Sequence, residues 1–236
     1  MTKDARSIVI CLAFALLAAG CGLPTVAYLY PPMGMDVKNS VISVANDSRN
    51  YESSEGTSQT YKGIEIFYRI YQNENSASAM VSTTLPDLVD SYADNPDSLM
   101  SLLTGSSYKF SRLRNSYSRS EPLIPIDASD ESSFYINISS TADWLLTDDS
   151  NTPLVDSSAN DISTIIRTLD STSSDVRFFE KDFNAGDDDY NGTTGSSSDT
   201  YYIVLFSVSY GLDQSTIGQT VYSMPSIPTS YNYVEY

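Results

Sequence analysis

Oxygen-bearing side chains recur at alternate positions of the stretch DDDYNG, residues 187–192. Asp187, Asp189 and Asn191 match the first half of a calcium-binding loop, in which alternate residues place hard oxygen ligands on one side of a tight turn. The position where such a loop has a bidentate glutamate is Ser198. The loop therefore supplies about four oxygens, whereas calcium takes roughly six to eight. We predict that these three residues lie on an exposed loop without metal at physiological calcium, and that any calcium site here is weak.

A second group with a common chemistry is the cluster of cations in the stretch YKFSRLRNSYSR, residues 108–119. The cluster comprises Lys109, Arg112, Arg114 and Arg119. Cations gathered among aromatic residues in an otherwise acidic chain are a candidate patch for an anionic glycan or a protein partner. The alternative interpretation is a strand whose cations pair with acidic neighbours of the same domain.

The chain contains no histidine, which excludes Ser-His-Asp and Cys-His catalysis and metal sites built on imidazole. Ser106 and Lys109 match the S-x-x-K pattern of penicillin-recognising enzymes, but the K-T-G strand of that family is absent from the sequence. We interpret the match as chance. Glycoside hydrolysis by a pair of carboxylates remains an open alternative, because 30 acidic residues offer many pairings.

The N-terminal segment combines a weakly positive start with the short apolar run IVICLAFALL, residues 8–17. A helix that crosses a membrane needs about 20 apolar residues, so a run of this length is typical of a secretory signal peptide. Residues 18–20 are small and stand directly before Cys21, as the cleft of a signal peptidase requires.

The stretch LLAAGC, which ends at Cys21, resembles the lipobox of bacterial lipoproteins in the looser form found in spirochaetes. The following CGLPTVAYLYPP is similar to the start of uncharacterised lipoproteins of that phylum. The resemblance implies a covalent lipid on Cys21 and a place in the cell envelope, at the outer membrane, the cell surface or the periplasmic face. An ordinary secretory signal with an incidental cysteine is the alternative.

The formal net charge of the chain is −17, which repels phosphate backbones and anionic lipid headgroups. We therefore exclude nucleic acid as a partner and expect the membrane to be reached through the lipid anchor. An unidentified protein or glycan remains the expected partner, and no cofactor beyond the covalent lipid is expected.

Alternating apolar residues predict the strands that position these groups. The stretch YKGIEIFYRIY predicts a half-buried strand, SFYINIS repeats the alternation, and TYYIVLFSVSY is apolar at nearly every position, as in a central strand covered on both sides. Ile66, Ile136 and Leu205 are expected on the inward faces of these three strands. Weaker strand candidates are NSVISVAN, SYKFSRLRNSY, DVRFFEKDF and GQTVYSM.

Three stretches have apolar residues at helical spacing. NPDSLMSLLTG has an Asn cap, a proline at the first helical position and a glycine as a stop, which predicts a short helix. NDISTIIRTLD and PDLVDSY are the other two helix candidates.

Together these elements predict a mainly β protein, an antiparallel β-sandwich with two or three short helical insertions. GIEIFYRIY is similar to the third strand of fibronectin type III domains, which implies an immunoglobulin-like or fibronectin-like arrangement. We divide the chain into a signal peptide (1–20), a lipid-anchored tether (21–39) and the sandwich domain (40–236). The expected function is a non-enzymatic envelope or surface binding module. A carbohydrate-active enzyme with paired carboxylates and a structural or immune-exposed coat protein are the alternatives.

Overall fold

A computed structural model describes the fold of residues 29–38, 40–53, 59–117, 122–126, 133–167, 176–178, 183, 186–193, 200–213 and 218–235. The predicted signal peptide, Cys21 and Arg119 lie outside these described residues. In chain order the strands are β1 (Met33–Lys38), β2 (Val41–Ala45), β3 (Gln59–Tyr71), β4 (Ser111–Arg112), β5 (Arg114–Asn115), β6 (Ile124–Pro125), β7 (Ser133–Asn137), β8 (Trp144–Thr147), β9 (Thr164–Ile166), β10 (Tyr190–Asn191), β11 (Thr200–Asp213), β12 (Gln219–Tyr222) and β13 (Asn232–Glu235).

These strands form two sheets. The first sheet has the order β1-β2-β7-β8-β9-β5, with every neighbouring pair antiparallel. The second sheet has the order β10-β3-β11-β12, with β13 also paired to β11, and β4 and β6 paired to β3. Its centre is the long antiparallel pair β3 and β11, in register with Tyr68 opposite Leu205. The short pair of β10 with β3 is parallel.

The main hydrophobic core lies between the two sheets. Ile66 on β3, Ile136 on β7 and Leu205 on β11 each expose 0% of their surface and belong to this one core. The prediction that these three residues point inward is confirmed. Truncation of a core side chain of this kind destabilises a protein by roughly 2–5 kcal/mol. A strand that turned its apolar face outward would lose several such contributions at once, so the alternation of apolar residues determines which face points inward.

A layer of helices covers the outer face of the second sheet. The helices of this layer are α2 (Glu74–Ala79), α3 (Leu85–Ser91) and α4 (Pro96–Thr104), and a π-helical segment, Met80–Thr84, joins α2 to α3. A further short helix, α1 (Arg49–Ser53), follows β2. A second core forms where residues of α2, α3 and α4 pack on the strands, including Leu85, Leu99, Phe67 and Phe206. Strand β11 is therefore covered on both sides, as predicted. Strand β3 is covered on both sides too, so its interpretation as half-buried is wrong.

Two of the three predicted helices are confirmed. Helix α4 begins after Asn95, whose side chain accepts a hydrogen bond from the Ser98 backbone N–H at 3.1 Å, and it ends at Gly105. The stretch PDLVDSY lies in and directly after α3. Asparagine caps and proline at the first turn depend on local geometry alone. The sequence is therefore sufficient to predict helices that carry these signals.

The third predicted helix, NDISTIIRTLD, is wrong because its centre forms strand β9, paired to β8 and β5. Ile162, Ile165 and Ile166 are all buried, and their spacing of three and four residues matches a helical face as well as two sides of a covered strand. Branching at Cβ favours the pleated surface over the helix. Residues 168–170 of this stretch lie outside the described residues.

The weaker strand candidates have mixed outcomes. NSVISVAN and GQTVYSM contain β2 and β12. SYKFSRLRNSY divides between β4 in the second sheet and β5 in the first. Of DVRFFEKDF, residues 176–178 and 183 are described, and Val176 forms an isolated bridge with Arg167.

The sandwich includes residues that the sequence analysis assigned to the tether. Strand β1 pairs with β2, Leu29 is buried, and the Tyr30 backbone N–H donates to the Asn50 side chain at 2.7 Å. The tether as predicted, up to residue 39, is therefore too long at its C-terminal end. No helix among the described residues is long and apolar enough to cross a membrane.

The mainly β, antiparallel sandwich with short helices is confirmed. The helices form a third layer on the second sheet, which the sequence did not predict as a layer. The finer immunoglobulin-like or fibronectin-like arrangement stays a prediction.

Candidate ligand-binding cavity

A surface cavity of about 460 Å³ lies where the end of α4, strand β4 and strand β12 meet. Its wall combines cationic, hydroxyl-bearing and aromatic side chains. These include Lys109, Arg112 and Arg114, the hydroxyl residues Thr104, Ser106 and Ser111, the aromatic residues Phe67, Phe110 and Tyr222, and Asp188. A cavity of this size is within the usual range of small-molecule sites, about 300–1,000 Å³.

Three of the four predicted patch cations line this cavity. Lys109, Arg112 and Arg114 come from different local structures, namely the turn after α4, strand β4 and strand β5. Because β4 belongs to the second sheet and β5 to the first, the chain crosses between the sheets within this cluster. The crossing brings the three cations to one concave surface. The fourth cation, Arg119, lies outside the described residues.

Arg112 forms an ion pair with Glu65, whose side chain exposes 0% of its surface. Glu65 is on the helix-covered face of β3, beside Phe67 of the cavity wall. Burial raises the pKa of Glu65 to about 7, and the charge of Arg112 opposes that rise. Its Oε2 atom has no hydrogen-bond partner among the described residues. The carboxyl therefore lies behind the cavity as a titratable group that is not itself part of the wall.

Lys109 is positioned in the cavity wall by a hydrogen bond to its backbone carbonyl and by an ion pair of its side chain. Its Nζ lies 3.8 Å from Asp188 Oδ1, and both side chains are about half exposed (47% and 55%). An exposed pair of this kind contributes little, about 0–1 kcal/mol. The Arg69 Nη1 donates to the Lys109 carbonyl at 2.8 Å and to the Asp188 carbonyl at 3.4 Å. Arg69 thus fixes the two segments beside each other, and the Lys109 ammonium remains reachable from solvent.

Arg114 lines the cavity and makes no ion pair with a described carboxylate. Its Nη1 atom is buried and lacks a hydrogen-bond partner among the described residues. A guanidinium that no described carboxylate pairs can attract an anion, because it presents a fixed fork of donors. Arg114 is therefore the residue of the cavity on which an anionic ligand would depend most.

The acidic stretch DDDYNG is exposed only in part, whereas the sequence predicted an exposed loop without metal. Asp189 exposes 0% of its surface and accepts hydrogen bonds from Arg167 through Nη2 at 2.7 Å and Nε at 2.9 Å. Asp187 accepts from the same Nη2 at 3.1 Å, and the Tyr68 hydroxyl donates to Asp189 at 2.5 Å. The prediction of exposure is wrong for Asp189, because its carboxylate neutralises a buried arginine.

The three aspartates divide between two sites. Asp187 and Asp189 bind Arg167, whereas Asp188 between them lines the cavity. Asn191 is exposed and lies in β10, beside β3. The carboxylate oxygens of Asp187 and Asp189 thus bind an arginine. The side chain of Asn191 is exposed and does not join them. Within the described parts of the chain, no group of three or more His, Cys, Asp or Glu residues could hold a metal ion.

The cavity wall contains one carboxylate among the described residues, Asp188. Glycoside hydrolysis by two carboxylates requires both groups to flank a bound substrate at about 5–10 Å from each other. Glu65 has the raised pKa that an acid catalyst needs, but it is enclosed behind Arg112. Among its described residues, the wall therefore combines three cations, which can attract an anionic group, with a single carboxylate.

Two residues of this region were not predicted from the sequence. Glu65 occupies an outward position of an alternating strand, where an acid is ordinary unless another layer covers it. Tyr222 has no distinguishing neighbour in the sequence, yet it forms a wall of the cavity and packs edge-on against Phe67 with ring centroids 6.3 Å apart. Both residues would have been recognised only if the helices were known to cover this face of the second sheet. That packing is determined by tertiary contacts, which the local sequence does not reveal.

Comparison with known proteins gives no relative from which a role could be transferred. No protein family, curated protein or solved structure matches the chain.

Proposed function

We propose that this protein is a lipid-anchored protein of the cell envelope whose β-sandwich domain binds an anionic ligand in the cavity lined by Lys109, Arg112 and Arg114. The observation that carries the proposal is the convergence of these three cations on one cavity of about 460 Å³. The lipid anchor rests on the resemblance of the N-terminal stretch to a lipobox.

The local charge favours an anion although the chain as a whole has a net charge of −17. Three cations line the wall, Asp188 partly offsets Lys109, and Glu65 offsets Arg112 from behind. At physiological salt the Debye length is about 8 Å, so distant acidic residues are largely screened from a bound group. The cavity is thus a local positive site on an acidic surface, which disfavours long polyanions and admits a small anionic group.

The site suits binding better than covalent chemistry. Fixed cations, hydroxyls and aromatic rings in a preformed concave wall are the usual components of a ligand site. Ser106 and Lys109 both line the cavity, but Lys109 is paired to Asp188. The K-T-G strand that accompanies such a serine–lysine pair in penicillin-recognising enzymes is absent from the sequence.

A binding array tests the proposal. The full chain, purified in detergent, is applied at low ionic strength to immobilised acidic and neutral glycans of matched length. We expect the wild type to retain acidic glycans, and we expect Arg114→Gln to lose at least tenfold in affinity. Arg49→Gln is the matched control, because Arg49 is an exposed cation paired to Asp47 that does not line the cavity.

Equal retention of acidic and neutral glycans, or equal losses in Arg114→Gln and Arg49→Gln, would overturn the cavity as an anion site.

A further inference from the structure

A second, smaller cavity adjoins the cationic one. It measures about 250 Å³ and shares two wall residues, Thr104 and Tyr222, with the first cavity. Because these side chains border both spaces, the two cavities adjoin at Thr104 and Tyr222, between α4 and β12. We call the two adjoining cavities together the α4–β12 groove.

The two ends of the groove have different chemistry. The first end contains the three cations. In the second end the described wall has no cation, and its polar side chains are Asp97, Ser101, Thr104, Gln219 and Thr220. These offer hydroxyl and amide groups together with one carboxylate. A ligand that fills the groove must therefore be anionic at one end and neutral and rich in hydroxyl groups at the other.

The walls of the groove are fixed by hydrogen bonds. The Tyr222 backbone N–H donates to Asp97 Oδ1 at 3.2 Å, which ties β12 to the first turn of α4. The Thr104 hydroxyl donates to the Met100 carbonyl at 2.8 Å, which leaves the Thr104 oxygen as an acceptor facing the junction. A groove that exists before binding costs little ordering when a ligand enters.

Tyr222 supplies an aromatic surface at the junction of the two cavities. Its ring is half-buried and packs against Phe67 and Tyr210, with centroids 6.3 Å and 5.8 Å away. A ring held in this way offers an apolar surface beside hydrogen-bonding groups. That combination suits the apolar face of a sugar ring better than an extended peptide, whose affinity depends on buried apolar or aromatic anchors.

We propose that the ligand is a short oligosaccharide with a single acidic sugar at one end, seated among Lys109, Arg112 and Arg114, and with neutral sugars that continue past Tyr222 to Gln219 and Thr220. This inference rests on the proposed function and adds the length and polarity of the ligand. Asp97 at the far end disfavours glycans that carry a charge on every unit.

The test measures how affinity depends on ligand length. Calorimetry with the full chain in detergent uses glucuronic acid, then a disaccharide and a trisaccharide in which one glucuronic acid is followed by neutral hexoses. We expect the trisaccharide to bind the wild type at least tenfold more tightly than the monosaccharide. In Gln219→Ala/Thr220→Val that ratio should fall to about one.

Thr152→Val is the matched control, because Thr152 is exposed and lies outside the groove, and its ratio should equal that of the wild type. Equal midpoints of thermal unfolding in the variants show that the fold is retained.

The outcomes separate the two proposals. If the monosaccharide binds and the longer ligands bind no more tightly, the extended groove is wrong and the anion site stands. If none of the acidic saccharides binds, both proposals are overturned. If triglutamate binds more tightly than the trisaccharide, the ligand is an acidic peptide and the oligosaccharide inference is wrong.

Discussion

Arg167 and Asp189 form an ion pair in which both side chains are completely enclosed, with Nη2 2.7 Å from Oδ1. Arg167 follows β9 of the first sheet and Asp189 precedes β10 of the second, so the pair joins the two sheets across the sandwich. Burial acts to lower the pKa of Arg167, but the hydrogen bonds and charge of Asp189 outweigh it and hold that pKa above its ordinary value. The guanidinium also lies over the Phe183 ring, 4.6 Å from its centroid.

Removal of the charge of Asp189 should destabilise the fold strongly. Asp189→Asn leaves Arg167 buried without a full counter-charge, and breaking a buried pair in this way costs about 3–5 kcal/mol. Asp188→Asn is the adjacent control, since Asp188 is about half exposed and its loss should change the free energy of unfolding by less than about 1 kcal/mol. Chemical denaturation measures both. Similar losses for the two variants would show that the buried pair does not join the sheets as described.

Glu65 should give the stability of the protein a dependence on pH that an ordinary glutamate lacks. Burial raises its pKa to about 7 in the folded protein, whereas the pKa of an ordinary glutamate is about 4.5. Between these two values the unfolded chain loses the proton first, so the free energy of unfolding falls as pH rises through that window. The fall amounts to roughly 3 kcal/mol when complete.

The measurement is denaturation at pH 4.5, 6 and 8 for the wild type and Glu65→Gln. The difference between their free energies of unfolding should change by roughly 3 kcal/mol across the series, with the wild type losing stability at high pH. A constant difference, or a wild type that gains stability relative to the variant, would contradict a buried carboxyl with a raised pKa. Asp188→Asn, an acid in the cavity wall, supplies the comparison for a half-exposed carboxylate.

Cys21 should carry a lipid in the native protein. Mass spectrometry of protein taken from its own membranes should show a chain that begins at Cys21 with acyl groups attached. Cys21→Ser should release the protein from membranes, because each buried CH₂ of the acyl chains contributes about 0.8 kcal/mol to anchoring. A native chain that starts elsewhere and has an unmodified thiol would refute the anchor.

The stretch that contains Asp187, Asp189 and Asn191 should bind no calcium at physiological concentration. The Asp189 carboxylate accepts from Arg167 and Tyr68, so a calcium ion would have to displace a buried cation. Calorimetric titration of the wild type with millimolar calcium should give only heats of dilution. Saturable heat that Asp187→Asn removes would show a metal site, and Asp188→Asn serves as the control for a general loss of charge.

The sequence predicted best what depends on neighbouring residues. The alternation that turns Ile66, Ile136 and Leu205 inward, and the Asn95 cap of α4, are local patterns, and both are present in the structure. The cations of the cavity were found because three of them lie within six positions of the chain. Their shared cavity required the crossing from β4 to β5, which no local pattern indicates.

The remainder could not be read from local patterns because it arises from contacts between distant segments. Arg167 is separated from Asp189 by 22 positions, and the two meet only when the sheets stack. Glu65 looks like a solvent-facing acid until helices cover its face of β3. The apolar residues around Ile165 fit a helix and a covered strand equally, and pairing with β8 and β5 decides between them.

The central claim is that the cationic cavity holds the ligand, and chemical-shift mapping by NMR tests it most directly. The full chain in detergent micelles is labelled with ¹⁵N and titrated with glucuronic acid. The account predicts that the amide signals of Lys109, Ser111, Arg112 and Tyr222 move in a saturable way, and that Arg114→Gln abolishes the shifts. A third cavity, remote from the groove and lined by Ser139, Tyr233 and Glu235, has no cation among its described residues and should not respond. Saturable shifts confined to that third cavity, or no saturable shift at all, would contradict the account.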